Sequence, residues 1–467
     1  QRKNLHLCAQ KLIASRIKMI TSRQKGMVNT MNYTKSEVLQ FVAENDVKFI
    51  RLAFCDIFGT QKNISILPDK LGEAFDYGIA FDGSAIRGFQ NISHSDLILF
   101  PDPATLSVLP WRPAHGRVVR LYCNIKYPDG TPFEGDCRAI LFGAAQRAKA
   151  MGYTCKIGTE CEFYLFKQNE YGEPTKTPHD IGGYMDVAPA DKGENIRREI
   201  CLTLEEMGIS PETSHHEQGP GQNEIDFMYS DALEAADNLI TFKTVVKTAA
   251  AGNGLYASFM PKPLAGRSGN GLHVNLSLYK NGQNIFNETH GEKAAADSFI
   301  AGILSRIAEI TSFLNPLTNS YMRLGADKAP KYITWSRQNR SQLIRIPAAH
   351  SEQKRLELRS PDPACNPYLA FALLLHAGLD GIEQKMVLQP ETDVNLFFIS
   401  EEEAKQYAFL PQSLSDALAL TQKSKFVADI IPLALLSKYI VQKEQELACL
   451  EKADRQKAEH DLYFHRI

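Results

Sequence analysis

Apolar and polar residues alternate in four short stretches of this chain, and the polar members are mostly Glu, His or Arg. They are Gly158-Thr-Glu-Cys-Glu-Phe-Tyr-Leu-Phe166, Glu224-Ile-Asp-Phe-Met228, His273-Val-Asn-Leu-Ser-Leu278 and Arg355-Leu-Glu-Leu-Arg-Ser360. A period of two predicts strands, whose side chains point alternately to opposite faces. Glu160 and Glu162 then share a face, as do His273, Asn275 and Ser277, and as do Arg355, Glu357 and Arg359. A sheet that gathers so many carboxylates has to neutralise them, and divalent cations do so most directly.

Elsewhere the pattern predicts an α+β chain. A first unit, residues 32–134, begins with a helix over Lys35–Glu44 and strands over Lys48–Cys55 and Asn63–Leu67, joined by a turn at Gly59. A short helix and further strands follow, among them Val118–Ile125. The turn Pro128-Asp-Gly-Thr-Pro132 marks its end. A larger unit, residues 135–467, opens on a helix over Arg138–Met151. Helical spacing returns over Ile196–Met207, Asp231–Ala251 and Asp297–Thr311. Asn366-Pro367 starts another helix with Pro in the first turn. That helix, to about Met386, is apolar nearly all round and belongs to the core. Beyond Ile399 the pattern is that of amphipathic surface helices.

With 467 residues, 44% hydrophobic and 23% charged, the composition is that of an ordinary globular protein. Basic and acidic residues nearly balance, 52 against 54, which gives no support to nucleic-acid binding. No apolar run is long enough to span a membrane. Nine cysteines without a CxxC pair read as reduced thiols in a cytoplasmic protein. No acid precedes Glu37, whereas the first thirty residues hold seven Lys and Arg. Such a leader has the composition of a transit peptide. The favoured reading is instead an upstream extension, residues 1–31, outside the folded units, with translation starting at Met27 or Met31. Thr34-x-x-Glu37 then opens the first helix with a capping box.

The chemistry concentrates in three groups. His215-His-Glu217 is joined to Asn223-Glu224 by a Gly-Pro-Gly turn that brings Glu217 and Glu224 within reach of each other. The loop Gly266-Arg-Ser-Gly-Asn-Gly271 leads into His273 and lets backbone N–H groups approach an anion. Arg323, Arg337, Arg340, Arg345, Arg355 and Arg359 form a basic group interleaved with apolar residues, suited to phosphate or carboxylate. Carboxylates for metal with arginines for phosphate describe phosphoryl transfer. No Walker-type glycine–lysine loop is present.

From about Met31 onward the chain resembles bacterial type I glutamine synthetases. The resemblance runs, in the family's order, through Phe81-Asp-Gly-Ser84, Glu160-x-Glu162, His215-His-Glu217, Asn223-Glu224 and Phe259-Met-Pro-Lys-Pro263. It continues through Gly269-x-Gly-Leu-His273, Asn319-Ser-Tyr321, Asn339-Arg-Ser341, Pro361-Asp-Pro-Ala364 and Asn366-Pro-Tyr368. It implies an N-terminal β-grasp-like domain and a catalytic domain on a curved antiparallel sheet. It implies a dodecamer of two hexameric rings with active sites between subunits. The reaction would be ATP-dependent ligation of ammonia to glutamate through γ-glutamyl phosphate, with two or more Mg2+ or Mn2+ per site.

By the same resemblance, Glu162, Glu217 and Glu224 would hold one metal, and Glu160, His273 and Glu357 the other. Arg323 and Arg359 would grip glutamate, with Gly269 lining that pocket. Arg340 and Arg345 would face the phosphates. Glu212, Asn275, Ser277 and Arg355 would line the nucleotide site, and Asp82 of an adjacent subunit would bind ammonium and take its proton.

One segment departs from the family. Its usual flap, Arg-Leu-Val-Pro-Gly-(aromatic)-Glu-Ala-Pro, reads Arg323-Leu-Gly-Ala-Asp-Lys-Ala-Pro330 here, one residue shorter. Lys328 stands where the family carries its catalytic Glu, and a cation over the site repels ammonium. Asp327 is expected to take over if the loop slides by one residue. Two further readings follow from this flap: a γ-glutamyl ligase for another amine, and a synthetase-like assembly that has lost catalysis.

Overall fold

Thr34 and Glu37 form the expected capping box: the Glu37 carboxylate accepts from the Thr34 amide at 2.7 Å, and Thr34 Oγ1 accepts from the Glu37 amide at 3.4 Å. The helix they start runs Lys35–Glu44 and buries Val38 and Val42. The computed structural model describes residues 33–90, 92–112, 115–450 and 455–467; the extension expected at residues 1–31 lies outside the described residues.

The first sheet contains β1 (Val47–Cys55), β2 (Gln61–Ile66), β3 (Ile79–Asp82), β4 (Asp96–Pro101), β5 (Ser107–Val108) and β6 (Arg117–Lys126). Its order is β2-β1-β6-β4-β3, with β5 beside β6. β1 lies parallel to β6 and antiparallel to β2, the mixed pairing of a β-grasp-like unit. Gly59, in the β1–β2 turn, has φ +77°, and a Cβ there would fall 2.9 Å from the Asn366 Cα. This close approach packs the turn onto the start of the core helix Pro367–Glu383.

The second sheet has ten strands in the order β14-β15-β16-β12-β7-β10-β9, with β8 (Pro174–Pro178) and β11 (Leu255–Ser258) also paired to β7 and β13 (Gln283–Asn284) to β12. Its central members are β7 (Tyr153–Gln168), β9 (Pro211–His216), β10 (Gln222–Asp231), β12 (Leu272–Lys280) and β16 (Leu356–Leu358). β14 (Trp335–Arg337) and β15 (Ile344–Ile346) are parallel to each other; the other pairs are antiparallel. The predicted α+β class therefore holds, with one parallel pair in an otherwise antiparallel catalytic sheet.

Helices Cys137–Ala150 and Ala232–Gly252 pack against β7, Pro367–Glu383 packs on both of them and on Lys293–Leu314, and the other face of the sheet is left for the site. The all-apolar pattern of Pro367–Glu383 is explained by burial of nearly every position. A buried ion pair ties the two sheets together. Arg138 donates to Asp237 at 2.9 Å and to Asp102 at 2.9 Å, while the Tyr368 hydroxyl donates to Asp237 at 2.6 Å.

Candidate active site

Strand register sets the carboxylates in two rows. Across β9, β10 and β7, His215 lies opposite Glu224, and Glu224 opposite Glu162. Two residues along β7, Asp226 lies opposite Glu160, and Glu160 opposite His273 on β12. Asn275 faces Glu357 on β16, which faces Arg345 on β15. The period of two read from the sequence thus puts Glu160, Glu162, Glu224, Asp226 and His273 on one face, which floors a cavity of about 690 Å3.

Two trios in this floor bring metal-ligating atoms within 4.8 Å of one another: Glu160, His273 and Glu357, and His215, Glu217 and Glu224. Glu162 stands beside the second trio, fixed by the Gln222 side-chain amide at 2.8 Å and the Gly271 amide at 2.9 Å. Burial, reinforced by the Glu217 charge, pushes Glu162 up to about 8. Burial and the neighbouring acids likewise raise Glu224 well above the carboxylate range, and Asp226 to about 6. Glu160 goes the other way. Burial opposes its charge, but the His273 ring at 3.0 Å, the Asn275 amide at 3.0 Å and Arg355 outweigh it and hold the acid at about 2. Glu357 is also kept low against burial, by Arg359 first. Arg345 donates to it at 2.6 Å, and Arg359 donates to its other oxygen.

Buried carboxylates gathered this closely form a hard-oxygen site that favours a divalent cation, and the imidazole in each trio is a compatible ligand. Such donors fit a divalent cation; the first trio is the set the resemblance implies, while in the second His215 stands where Glu162 is expected. Beside the carboxylates lies the basic wall. Arg323, Arg340, Arg345, Arg355 and Arg359 all line the cavity, as do Gly269 and Asp327. Arg323 is buried, its guanidinium fixed by the carbonyls of Ser360 at 2.7 Å and Arg359 at 3.1 Å. Gly271 lies at the junction of wall and floor. A Cβ there would stand 2.8 Å from Arg323 Nη2 and 3.2 Å from His273 Nε2, so a side chain has no room.

Five predicted residues lie off the cavity lining, the buried Glu357 among them. Asn275 is buried behind it, bridging Glu160 to Arg355, which donates at 3.0 Å. Ser277 is buried farther along β12. Glu212 is exposed on β9, beside the lining residues Thr213 and Ser214. Asp82 is exposed at the end of β3, where it accepts from the Ser84 amide at 2.8 Å and from its hydroxyl at 2.6 Å.

Three features escaped the sequence reading. Asp226 was accessible to it, since it shares the alternation of Glu224. Tyr184 lies in the 178–193 loop, with no local pattern to mark it; it meets His215 edge-on at 5.4 Å. Behind the floor, His216 Nδ1 donates to the Glu217 carbonyl at 2.6 Å and Nε2 donates to Asp180 at 3.0 Å. Acceptors on both sides favour the imidazolium and raise the ring's pKa above its ordinary value. Burial opposes this, and Asp180 overcomes it. The flap lines the cavity with both Asp327 and Lys328. Lys328 turns its ammonium toward the Tyr184 ring, 5.4 Å from the centroid, while Asp327 accepts from Lys262.

Family models describe both parts of the chain: "Glutamine synthetase, beta-Grasp domain" matches residues 46–128, and "Glutamine synthetase, catalytic domain" residues 134–463. The chain is 48% identical over 420 residues to the glutamine synthetase of Clostridium saccharobutylicum, covering 89% of this chain and 95% of that protein. It is 48% identical to the glutamine synthetase of Methanosarcina mazei, over 88% of this chain and 94% of that one. Among solved structures, a GmaS/ADP complex superposes with a TM-score of 0.81 at 31% identity, covering 89% of this chain and 97% of that chain. The glutamine synthetase of Plasmodium falciparum superposes with a TM-score of 0.79 at 25% identity, over 90% and 97%.

Proposed function

The chain belongs to the glutamine synthetase family, and we propose that its cavity joins ammonia to the γ-carboxylate of L-glutamate, with ATP converted to ADP and phosphate through γ-glutamyl phosphate. The observation that carries this is the meeting of two carboxylate trios with five arginines in one cavity. Such a site binds cations on its floor and anionic substrates on its wall, and phosphoryl transfer asks for little beyond positioning and charge neutralisation.

Glu160, His273 and Glu357 would hold one Mg2+ or Mn2+, and Glu162, Glu217 and Glu224 a second, with His215 alongside. When bound, these cations supply Lewis-acid stabilisation of charge on the transferred phosphoryl group. Arg323 and Arg359 would grip the carboxylates of glutamate, with Gly269 at their side. Arg340 and Arg345 would face the phosphates of ATP. Asn275 and Arg355, joined by a hydrogen bond, would orient the nucleotide, with Ser277 and Glu212 toward its outer end. Asp327 would be the flap acid that attracts ammonium and helps take its proton.

Asp82 is exposed and absent from its own chain's cavity lining, which supports its service in a neighbouring subunit. We therefore read the assembly as a ring oligomer, a dodecamer of two hexamers. Among the described residues no helix is long and apolar enough to cross a membrane, and the described cysteines are free thiols. These features support a cytoplasmic enzyme. The domain boundary is read at residues 134–135.

Phosphate release from ATP and glutamate, measured with and without ammonium and then with larger amines, tests the reaction. Release that depends on ammonium is the expected result. No release with ammonium, or release only with larger amines, overturns it.

A further inference from the structure

Lys262 belongs to Phe259-Met-Pro-Lys-Pro263, a segment that the metal and arginine groups leave without a role. Its backbone is clamped on both sides by one side chain: the Asn319 carbonyl oxygen accepts from the Lys262 amide at 2.6 Å, and the Asn319 amide donates to the Lys262 carbonyl at 3.1 Å. From this fixed root the side chain runs buried to the cavity mouth. There Nζ donates to Asp327 Oδ2 at 2.5 Å. The partners are unlike. The Lys262 side chain is 7% exposed, whereas the Asp327 side chain is 41% exposed on the shortened flap, with a left-handed φ of +51°. That conformation is uncommon for a residue with a Cβ and persists where the surroundings enforce it. Among the described residues, Asp327 Oδ1 accepts no hydrogen bond and is left for the cavity.

We propose that Lys262 is the positioning residue for the flap acid. It takes one oxygen of Asp327 in a charge-assisted hydrogen bond and presents the other to the amine. This inference rests on the reading of Asp327 as the flap acid, and it adds why that reading works on a flap one residue short. A flexible loop bearing an acid gives poor orientation. An ion pair to a buried, clamped lysine fixes it, and misplacement by about 1 Å costs catalysis on the order of 10²-fold. The neighbouring Lys328 points to Tyr184 instead, so the two flap side chains are anchored on different partners.

The test is a double-mutant cycle in the full-length enzyme on Lys262→Met and Asp327→Asn, with Lys262→Arg as the conservative variant. KM is measured separately for ammonium, glutamate and ATP. Lys262→Met should raise KM for ammonium about tenfold or more while KM for glutamate and ATP stays within about twofold, and Lys262→Arg should recover most of the loss. The double variant should be no worse than Asp327→Asn alone. Independent, multiplicative losses, or an equal rise in all three KM values, overturn the role of Lys262 while leaving Asp327 standing. An unchanged KM for ammonium and unchanged kcat in Asp327→Asn instead removes the flap-acid reading itself. If Lys262→Met is not recovered as folded oligomer, the same cycle is read with Lys262→Gln and Lys262→Arg. Full activity in Lys262→Gln then overturns the proposal.

Discussion

Glu160 and Glu162 leave the same face of one strand two residues apart, yet they ionise in opposite senses. Glu160 faces His273 and titrates at about 2, whereas burial beside Glu217 pushes Glu162 up to about 8. The difference follows from register. Both face an acid on β10, Asp226 and Glu224, but Glu160 also faces an imidazole, His273 on β12. The floor therefore carries a paired acid and an unpaired one, and the unpaired one makes cation binding and proton release a single event.

This sets a pH dependence. An unfolded Glu titrates near ~4.3. Between there and about 8, the folded metal-free chain keeps the Glu162 proton that the unfolded chain gives up. Its contribution to stability is full below ~4.3 and is lost as pH rises through the folded value. Glu224 acts in the same direction. Glu160 contributes the reverse: stability present above ~4.3 that is lost as pH falls toward 2. The metal-free enzyme should thus lose thermal stability from pH 5 to 8, and the rise in Tm on adding Mg2+ or Mn2+ should grow over that range. Thermal melts with and without metal, at several pH values, check this; a metal-induced shift independent of pH contradicts it. Glu162→Gln should flatten the profile.

Gly271 makes a second prediction. A methyl group there meets Arg323 Nη2 at 2.8 Å, and Arg323 cannot retreat because two carbonyls and full burial hold its guanidinium. Overpacking of this kind costs about 1–3 kcal/mol. Gly271→Ala should therefore stay folded but lose activity on the order of tenfold to a hundredfold, expressed as a raised KM for glutamate. Steady-state kinetics beside a thermal melt separates this from general unfolding.

How far the sequence foretold this site depends on the range of each interaction. The capping box of Thr34 and Glu37 spans three residues, and the helix begins and ends as expected. Alternation along β7 correctly placed Glu160 and Glu162 on one face, because that property belongs to a single strand. What alternation cannot supply is register between strands distant in sequence. That is why His215 joins Glu217 and Glu224, and why Asp226 faces Glu160, only once the sheet is assembled. Lys328 lines the cavity as its place in the sequence implies, but its contact with Tyr184, from a loop with no periodicity, emerges only in the fold. The Asp180–His216 pair behind Glu217 has no local signature at all.

The junction between the sheets gives a prediction of stability without chemistry. Asp237 is buried, receives the Arg138 guanidinium at 2.9 Å and 3.1 Å and the Tyr368 hydroxyl at 2.6 Å, and lies outside the cavity. Asp237→Ala leaves a buried guanidinium with Asp102 as its remaining carboxylate. Removing one partner of such a pair costs about 3–5 kcal/mol. The variant should unfold at a clearly lower denaturant concentration while its KM values stay near those of the parent. Unchanged unfolding would mean that Asp102 alone satisfies Arg138.

Asp82 decides whether the site is shared. Its carboxylate is exposed at the end of β3, bonded to Ser84, and no part of it lines the cavity of its own chain. If it acts on a neighbour, an Asp82→Ala chain keeps a sound cavity but deprives the next subunit, whereas an Arg359→Ala chain has a damaged cavity but a sound Asp82. Each homo-oligomer should be nearly inactive, since loss of a general base costs on the order of 10²–10⁴-fold. Dissociated, mixed and reassembled, the two should regain activity, because some Asp82→Ala cavities then receive Asp82 from an Arg359→Ala neighbour. An Asp82 that served its own chain would give hybrids as inactive as their parents. The assay is ammonium-dependent phosphate release against the mixing ratio, with activity greatest near equal proportions.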